Sequence, residues 1–385
     1  MPAMIDLDHN ATTPLCEEAR EAMLAVMEGP CGNPSSVHAS GRRTRAVLDE
    51  ARDRIATLLA ARSHEIIFTS GGTESCNLAI LGLARRHRTE GRHHLVTSAT
   101  EHHAVLHAMR WLAEHEGFSL TEVPVDARGM IDPDAFAACL RPETLLASVM
   151  FANNETGVIQ SIAELSVLCR EREIPFHTDA VQAFGKRLCL PSDLGVDAFS
   201  AAAHKFYGPP GAGFLWLRSG IPIHPIVHGG YHENNRRPGT ENAAAVSGMA
   251  AAAEKAVNEV NAGVESFRQA NLREELWARI HSRWPSAIRN TPLTDILPNT
   301  LNVSFPGCDG ETLLMGLDLE GVAASSGSAC MVGSVMPSHV LLAMGVPEKT
   351  ARATIRFSLG RENSEGDVLR TTEALGRVLS RQVRP

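Results

Sequence analysis

Six positions carry side chains whose type and setting suit chemistry. Lys205 stands in Ser200-Ala-Ala-Ala-His204-Lys205-Phe-Tyr-Gly208, just past a short apolar run that reads as a buried strand. An amine set among alanines has no carboxylate beside it, and desolvation there favours the neutral form that condenses with an aldehyde. Read alone, a lysine is more often a solvated surface charge. Asp179 ends another apolar run, with His177 two residues earlier. A buried carboxylate at that place needs a cation, such as a protonated ring nitrogen, or else it caps a helix. His102 suits stacking on a flat ring or moving protons, with a structural role as the alternative. Gly71-Gly72-Thr73 follows a strand and opens a helix, so its N–H groups and hydroxyl suit a phosphate as well as a plain turn. Arg356 lies in Ile355-Arg-Phe-Ser-Leu359, as a carboxylate clamp or an edge-strand arginine. Cys330 sits in Ala323-Ala-Ser-Ser-Gly-Ser-Ala-Cys330-Met-Val-Gly-Ser334, small residues that build no core and leave the thiol as an exposed nucleophile on a mobile loop.

The elements that must position these groups alternate. Apolar runs at 66–68, 95–97, 145–150, 176–178, 196–199 and 214–217 read as strands. Helical spacing covers 17–27, 44–59, 104–116 and 163–173. Such alternation predicts an α/β fold with a mostly parallel central sheet covered on both faces. Ligands in such sheets sit beyond the carboxyl ends of the strands. The residues there are Ser70 to Glu74, Glu101-His102-His103, Asn153-Asn154-Glu155, Asp179 to Gln182, and His204-Lys205. Alanine-rich 241–260 and then 264–284 read as helices, and 300–305 and 354–358 as strands of a smaller C-terminal unit. The loop holding Glu233, Arg236, Arg237 and Glu241 reads as solvated, with Gly229-Gly230 and Gly239-Thr240 as flanks for a second anion site.

At 385 residues two domains are expected. A net charge of -8 argues against nucleic acid as the main partner. No apolar run reaches the ~18 residues of a membrane span, and the first residues lack a basic stretch followed by an apolar one, so no secretory signal is expected. The eight cysteines show no CxxC and no regular spacing. They suit free thiols in a reducing cytoplasm rather than a disulfide framework or a zinc site.

Taken together, the motifs resemble a family: the pyridoxal-phosphate-dependent cysteine desulfurases that supply sulfur for iron–sulfur clusters. The match runs from Asp6 to about Arg361. It rests on Leu7-Asp-His-Asn-Ala-Thr-Thr, Gly32-Asn-Pro-Ser-Ser-Val-His, Thr69-Ser-Gly-Gly-Thr-Glu, Thr100-Glu-His, Asn153-Asn-Glu-Thr-Gly, His177-Thr-Asp-Ala-Val-Gln, His204-Lys-Phe-Tyr-Gly-Pro, Arg237-Pro-Gly-Thr-Glu-Asn, Ser325-Ser-Gly-Ser-Ala-Cys and Arg356-Phe-Ser-Leu-Gly. The cysteine loop is similar to that of the longer-loop branch, whose persulfide reaches acceptor proteins.

The resemblance implies a fold-type I, aspartate aminotransferase-like transferase. Residues 15–260 would form the large cofactor-binding domain, with 1–14 and 261–385 as the small domain carrying the Cys330 loop. Pyridoxal 5'-phosphate would be held by Lys205, with His102 over its ring and moving protons, Asp179 at the ring nitrogen and Gln182 at the ring hydroxyl. Gly72, Thr73 and His204 would contact the phosphate, and Thr240 would reach it from the other subunit of a homodimer. Asn154, also counted at the cofactor, and Arg356 would bind the substrate carboxylate. L-cysteine would become L-alanine as Cys330 takes the sulfur as a persulfide and passes it to an acceptor such as an iron–sulfur scaffold. No resident metal is implied, although Cys330 is a candidate transient ligand to a cluster shared with that scaffold. A cytoplasmic setting without membrane or direct nucleic-acid contact is implied too.

A selenocysteine lyase, another lyase of this fold and a non-catalytic sulfur carrier are the alternatives. The acceptor stays open between a cluster scaffold, a tRNA-thiolation protein and a DNA sulfur-modification pathway. One residue departs from the family pattern: Ala202 stands where a serine commonly donates to the phosphate, which predicts a weaker hold on the cofactor.

Overall fold

The computed structural model describes residues 4–30, 32–89, 91–326 and 336–382. Among them seven strands form the main sheet: β1 (Ile66–Thr69), β2 (His94–Ser98), β3 (Ser119–Val123), β4 (Thr144–Ser148), β5 (Phe176–Asp179), β6 (Ala198–Ala202) and β7 (Gly213–Leu217). Their order is β1-β7-β6-β5-β4-β2-β3, and only β7 runs antiparallel to its neighbours. The mostly parallel sheet is therefore as expected. Strand β3 is an addition: Ser119-Leu-Thr-Glu-Val alternates polar and apolar on a half-buried edge, so it lacks the apolar run of a central strand.

Side-chain alternation divides the sheet between two cores. Ile66, Phe68, Phe199, Ala201, Phe214 and Trp216 face one of them, and Ile67, Ala198, Leu215 and Leu217 the other. The first is closed by helices α1 (Glu17–Met27), α2 (Ala39–Leu58) and, further along the chain, Ala243–Ala262; the second by α3 (Gly72–His87) and α4 (His103–His115). Helix α2 starts five residues before the expected Thr44, because the His38 side chain accepts the Gly41 N–H and caps it. The alanine-rich helix, α5 (Ala243–Ala262), begins where Asn242 Oδ1 accepts the Ala245 N–H (3.1 Å). It ends at Gly263, whose φ of +71° is the left-handed cap that glycine adopts without strain.

A third core lies outside the main sheet. Strands β8 (Ile288–Arg289), β9 (Thr300–Ser304) and β10 (Thr354–Ser358) form an antiparallel sheet in the order β10-β9-β8. Leu301, Val303, Ile355 and Phe357 pack there with Leu272, Leu276 and Ile280 of α6 (Val264–Arg283) and with Leu375 and Val378 from the last helix, α7 (Glu365–Gln382). Ile5 and Leu7 belong to the same core, and Ile5–Asp6 pairs in parallel with Val322–Ala323. The chain then crosses from this core to the main sheet. Thr13 Oγ1 donates to the His204 carbonyl (3.0 Å) and accepts the Tyr207 N–H (2.7 Å). Among the described residues no helix is long and apolar enough to cross a membrane.

A close backbone approach near the ends of the main-sheet strands is at Gly213. A Cβ there would stand 2.7 Å from both the Ala201 carbonyl oxygen and Gly71 Cα, so β7 can enter the sheet only without a side chain. Gly213→Ala is expected to destabilise the fold by about 1–3 kcal/mol through overpacking. Urea unfolding checks this, and an unchanged midpoint would contradict it.

Candidate active site

The carboxyl ends of β1, β2, β4, β5 and β6 converge on a cavity of about 400 Å³. Gly72, Thr73, His102, Asn154, Asp179, Gln182, Ala202, His204, Lys205 and Arg356 all line it. The structure thus brings these sequence-derived candidates into one space, where the strand-end rule puts a ligand. Two candidates stand apart. Thr240 is exposed and lines no part of this cavity in its own chain. Cys330 lies outside the described residues, as does most of its loop.

Lys205 closes a 3-10 turn directly after β6. Its Nζ donates to the backbone carbonyls of Asn10 and Ala11, each at 2.7 Å. The strap from the third core therefore holds the amine. Asn10 is one of the residues that sequence reasoning missed. Its carbonyl also accepts from Gln182 Nε2 (2.8 Å), and its Nδ2 donates to Thr300 Oγ1 (2.8 Å) and to the Asn154 carbonyl (3.1 Å). Asn10 Oδ1 accepts from Asn299 Nδ2 (3.0 Å) and Lys186 Nζ (3.1 Å). Asn10 sits in the N-terminal motif, but its partners are spread from Asn154 to Ser358, whose Oγ accepts the Asn10 N–H (2.9 Å), so only the folded chain reveals it.

Asp179 is 4% exposed, and its Oδ1 accepts the Val181 N–H (2.9 Å). It therefore caps a turn and not the helix of the alternative reading, since no helix follows it. Yet among the described residues no ion pair neutralises this carboxylate, which opens onto the cavity. A ligand cation suits it.

His102 caps α4: its Nδ1 accepts the Ala104 N–H (3.1 Å). An amide can only donate, so Nδ1 is unprotonated and Nε2 carries the proton of the neutral ring. Burial pushes the His102 pKa below its ordinary value, opposed by Asp179 and assisted by Lys205. His204 is held down to about 4, first by burial and then by the Lys205 charge. Both imidazoles are neutral near pH 7.

The N-terminus of α3 meets the cavity at Gly72 and Thr73. Gly71 has φ +150° and ψ -174°, a conformation almost confined to glycine, and as the N-cap it provides no side-chain cap. The first-turn N–H groups of α3 have no intrahelical acceptors, and together with the positive end of the helix they suit an anion. A Cβ on Gly72 would fall 2.7 Å from Val181 Cγ2 and 3.4 Å from Ala202 Cβ, which keeps this cradle free of side chains.

Arg356 is buried in β10 but is not the free clamp its strand position suggested. Its Nη2 pairs with Asp8 Oδ1 (2.6 Å) and its Nη1 donates to the Asn154 carbonyl (3.0 Å). Its Nε–H is buried without a hydrogen-bond partner among the described residues, a donor left for a ligand.

Other polar candidates serve the framework. Glu101 Oε1 accepts the Met150 N–H (2.6 Å), and Asn153 Oδ1 accepts the N–H groups of Glu155 and Thr156, both at 2.9 Å. The loop expected to be solvated is partly buried: Glu233 pairs with Arg52 (2.6 Å) and accepts the Phe68 N–H (3.0 Å), while Arg237 pairs with Glu74 (2.7 Å). Those charges fasten the loop. The described cysteines are free thiols, several of them buried.

The family model for class-V aminotransferases matches residues 5–370. The chain belongs to that family, among its cysteine desulfurases. A cysteine desulfurase IscS of Dictyoglomus turgidum is 47% identical over 99% of this chain and 96% of its own length. An IscS-like cysteine desulfurase of Mycobacterium tuberculosis is 44% identical over 98% and 97%. Of solved structures, a NifS-like protein superposes with a TM-score of 0.91 at 35% identity, covering 98% of this chain and 99% of that one. A structure of SspA in complex with cysteine gives 0.81 at 34% identity, covering 93% and 99%. Class-V membership accounts for the fold, and the desulfurase relatives span nearly the whole chain.

Asn10 is the junction on which this desulfurase cavity rests. Asn10→Ala leaves the half-buried Lys186 amine and the buried Asn299 amide each one acceptor short, and a loss of about 1–3 kcal/mol is expected. Denaturant unfolding measures it, and a loss indistinguishable from zero would show that the junction carries no stability.

Proposed function

We propose that this chain is a cysteine desulfurase that uses pyridoxal 5'-phosphate to convert L-cysteine to L-alanine, leaving the sulfur on Cys330 as a persulfide. The observation that carries the reading is the convergence of one strand-end amine, Lys205, and one buried, unneutralised carboxylate, Asp179, on a single cavity.

The residues present fit the cofactor. Lys205 supplies the amine for its aldehyde, Asp179 the counter-charge for a protonated ring nitrogen, and Gln182 an amide for the ring hydroxyl. The side-chain-free N-terminus of α3, with Thr73 and His204, supplies donors for the phosphate. When bound, the cofactor acts as an electron sink that weakens the substrate's Cβ–S bond.

The chain's own residues do the rest. Arg356 Nε and Asn154 orient the substrate carboxylate. Lys205 would hold the cofactor through its aldehyde, and the Asn10 and Ala11 carbonyls keep the amine in the cavity, where it would receive and return protons. His102, neutral and protonated at Nε2, is a hydrogen donor within the cavity. The Cys330 thiolate attacks the substrate sulfur: a new S–S bond forms, the Cβ–S electrons stay with the carbon fragment, and protonation of that fragment gives alanine.

The division into 15–260, and 1–14 with 261–385, is part of the proposal. The third core supports it, since it draws on Ile5, Leu7 and residues from Leu272 onward. So is a homodimer in which Thr240 of one subunit reaches the phosphate of the other; its exposure is consistent with that role. The acceptor is a sulfur-accepting protein such as an iron–sulfur scaffold, and the relatives named IscS favour that class.

Cys330→Ala is expected to abolish persulfide and sulfide production while leaving the visible spectrum of the cofactor-loaded protein unchanged. Mass spectrometry of the persulfide and the absorption spectrum are the measurements. Sulfide release at wild-type rate from the variant would favour a selenocysteine lyase-like or other lyase chemistry. His102→Ala is expected to lower kcat by about 10²–10⁴, as for loss of a general acid–base. Ala202→Ser sets a hydroxyl beside the Gly72 cradle and is expected to tighten cofactor binding by roughly 1.5–3 kcal/mol, as for a charge-assisted hydrogen bond. Equal dissociation constants in the two proteins would refute this.

A further inference from the structure

Lys186 is a half-buried cation that the proposed reaction leaves without a task. It is absent from the cavity walls, yet its Nζ donates to Gln182 Oε1 (2.8 Å) and Asn10 Oδ1 (3.1 Å), both on residues that line the cavity. Gln182 Nε2 donates in turn to the Asn10 carbonyl (2.8 Å), and that same oxygen accepts from Lys205 Nζ (2.7 Å). Lys186, Gln182 and Asn10 therefore close a hydrogen-bonded ring, and the catalytic amine hangs from one of its members.

Lys186 has no carboxylate partner in this ring, and among the described residues it forms no ion pair. Burial, and then the charges of Lys205 and Arg356, bring its pKa down to about 7. An apolar side chain of similar length would fill the space without that penalty. The ring needs two donors at one point, and an amine provides them in either protonation state.

We propose that Lys186 is a positioning residue that locks the Gln182 and Asn10 side chains, so that the Gln182 amide and the Lys205 amine meet the bound cofactor in one fixed geometry. The proposal rests on the reading above for the identity of the group held, and on the hydrogen-bonded ring for everything else.

The test compares wild type, Lys186→Met and Lys186→Arg, each loaded with pyridoxal 5'-phosphate. Three measurements are made: the induced circular dichroism of the visible band, KM, and kcat. In Lys186→Met the protein is expected to keep the cofactor but lose most of the induced signal, because the ring is no longer held in one orientation. Its kcat should fall about 10- to 100-fold with KM little changed, as for a misplacement of reacting groups. Lys186→Arg, which keeps two donors and the charge, is expected to recover the signal. Lys186→Gln is too short to span both acceptors and serves where the methionine variant does not fold, with the same outcome expected. An unchanged induced signal and kcat in a folded neutral variant would overturn the proposal alone. A wild-type protein that shows no visible band would overturn the desulfurase reading, and this proposal with it.

Discussion

The hydrogen bonds from the Lys205 amine to the Asn10 and Ala11 carbonyls hold this molecule's site together. They join the end of a main-sheet strand to a strap that begins in another core. Two acceptors on adjacent residues fix the direction of the amine at the end of β6. The strap must in turn be fixed. Asp8 pairs with Arg356 and Asn10 with Thr300, Asn299 and Asn154, while Thr13 ties to His204 and Tyr207. Each is a contact between parts of the chain remote in sequence, so the site exists only when both cores are folded and docked.

Charge in the cavity is arranged for a ligand carrying both signs. Asp179 offers an anion at one place, while the α3 N-terminus, Lys205 and the Arg356 Nε–H offer donors at others. The two neighbouring imidazoles add no charge near pH 7, because burial keeps both neutral. Asp8 occupies one arm of Arg356, which fixes the orientation of the guanidinium before any substrate arrives. The site is thus preorganised by groups that do not themselves react.

Much of this was legible in the sequence because it follows from local pattern. Short apolar runs such as 196–199 and 214–217 mark buried strands, and polar residues just beyond them mark the cavity, which is how Lys205, Asp179, His102 and Gly72 come to notice. What was illegible depends on long-range contact or on a side chain's second role. Strand β3 escaped because an edge strand needs no apolar run, and the start of α2 shifted because His38 supplies the cap. Asn10 and Lys186 looked like ordinary polar residues, since nothing near them in the chain announces Thr300 or Gln182 as partners. Arg356 was noticed correctly as a charge out of place in a strand, but its Asp8 partner is 348 residues away.

The central claim is that the amine of Lys205, and no other, captures an aldehyde that the substrate then competes for. The chain has only four lysines, Lys186, Lys205, Lys255 and Lys349, which makes the claim directly measurable. Protein loaded with pyridoxal 5'-phosphate is reduced with borohydride, with and without prior L-cysteine, and its peptides are weighed. The account predicts a single reduced adduct on Lys205 that L-cysteine diminishes. An adduct on Lys186, on a surface lysine or on none of the four would contradict it.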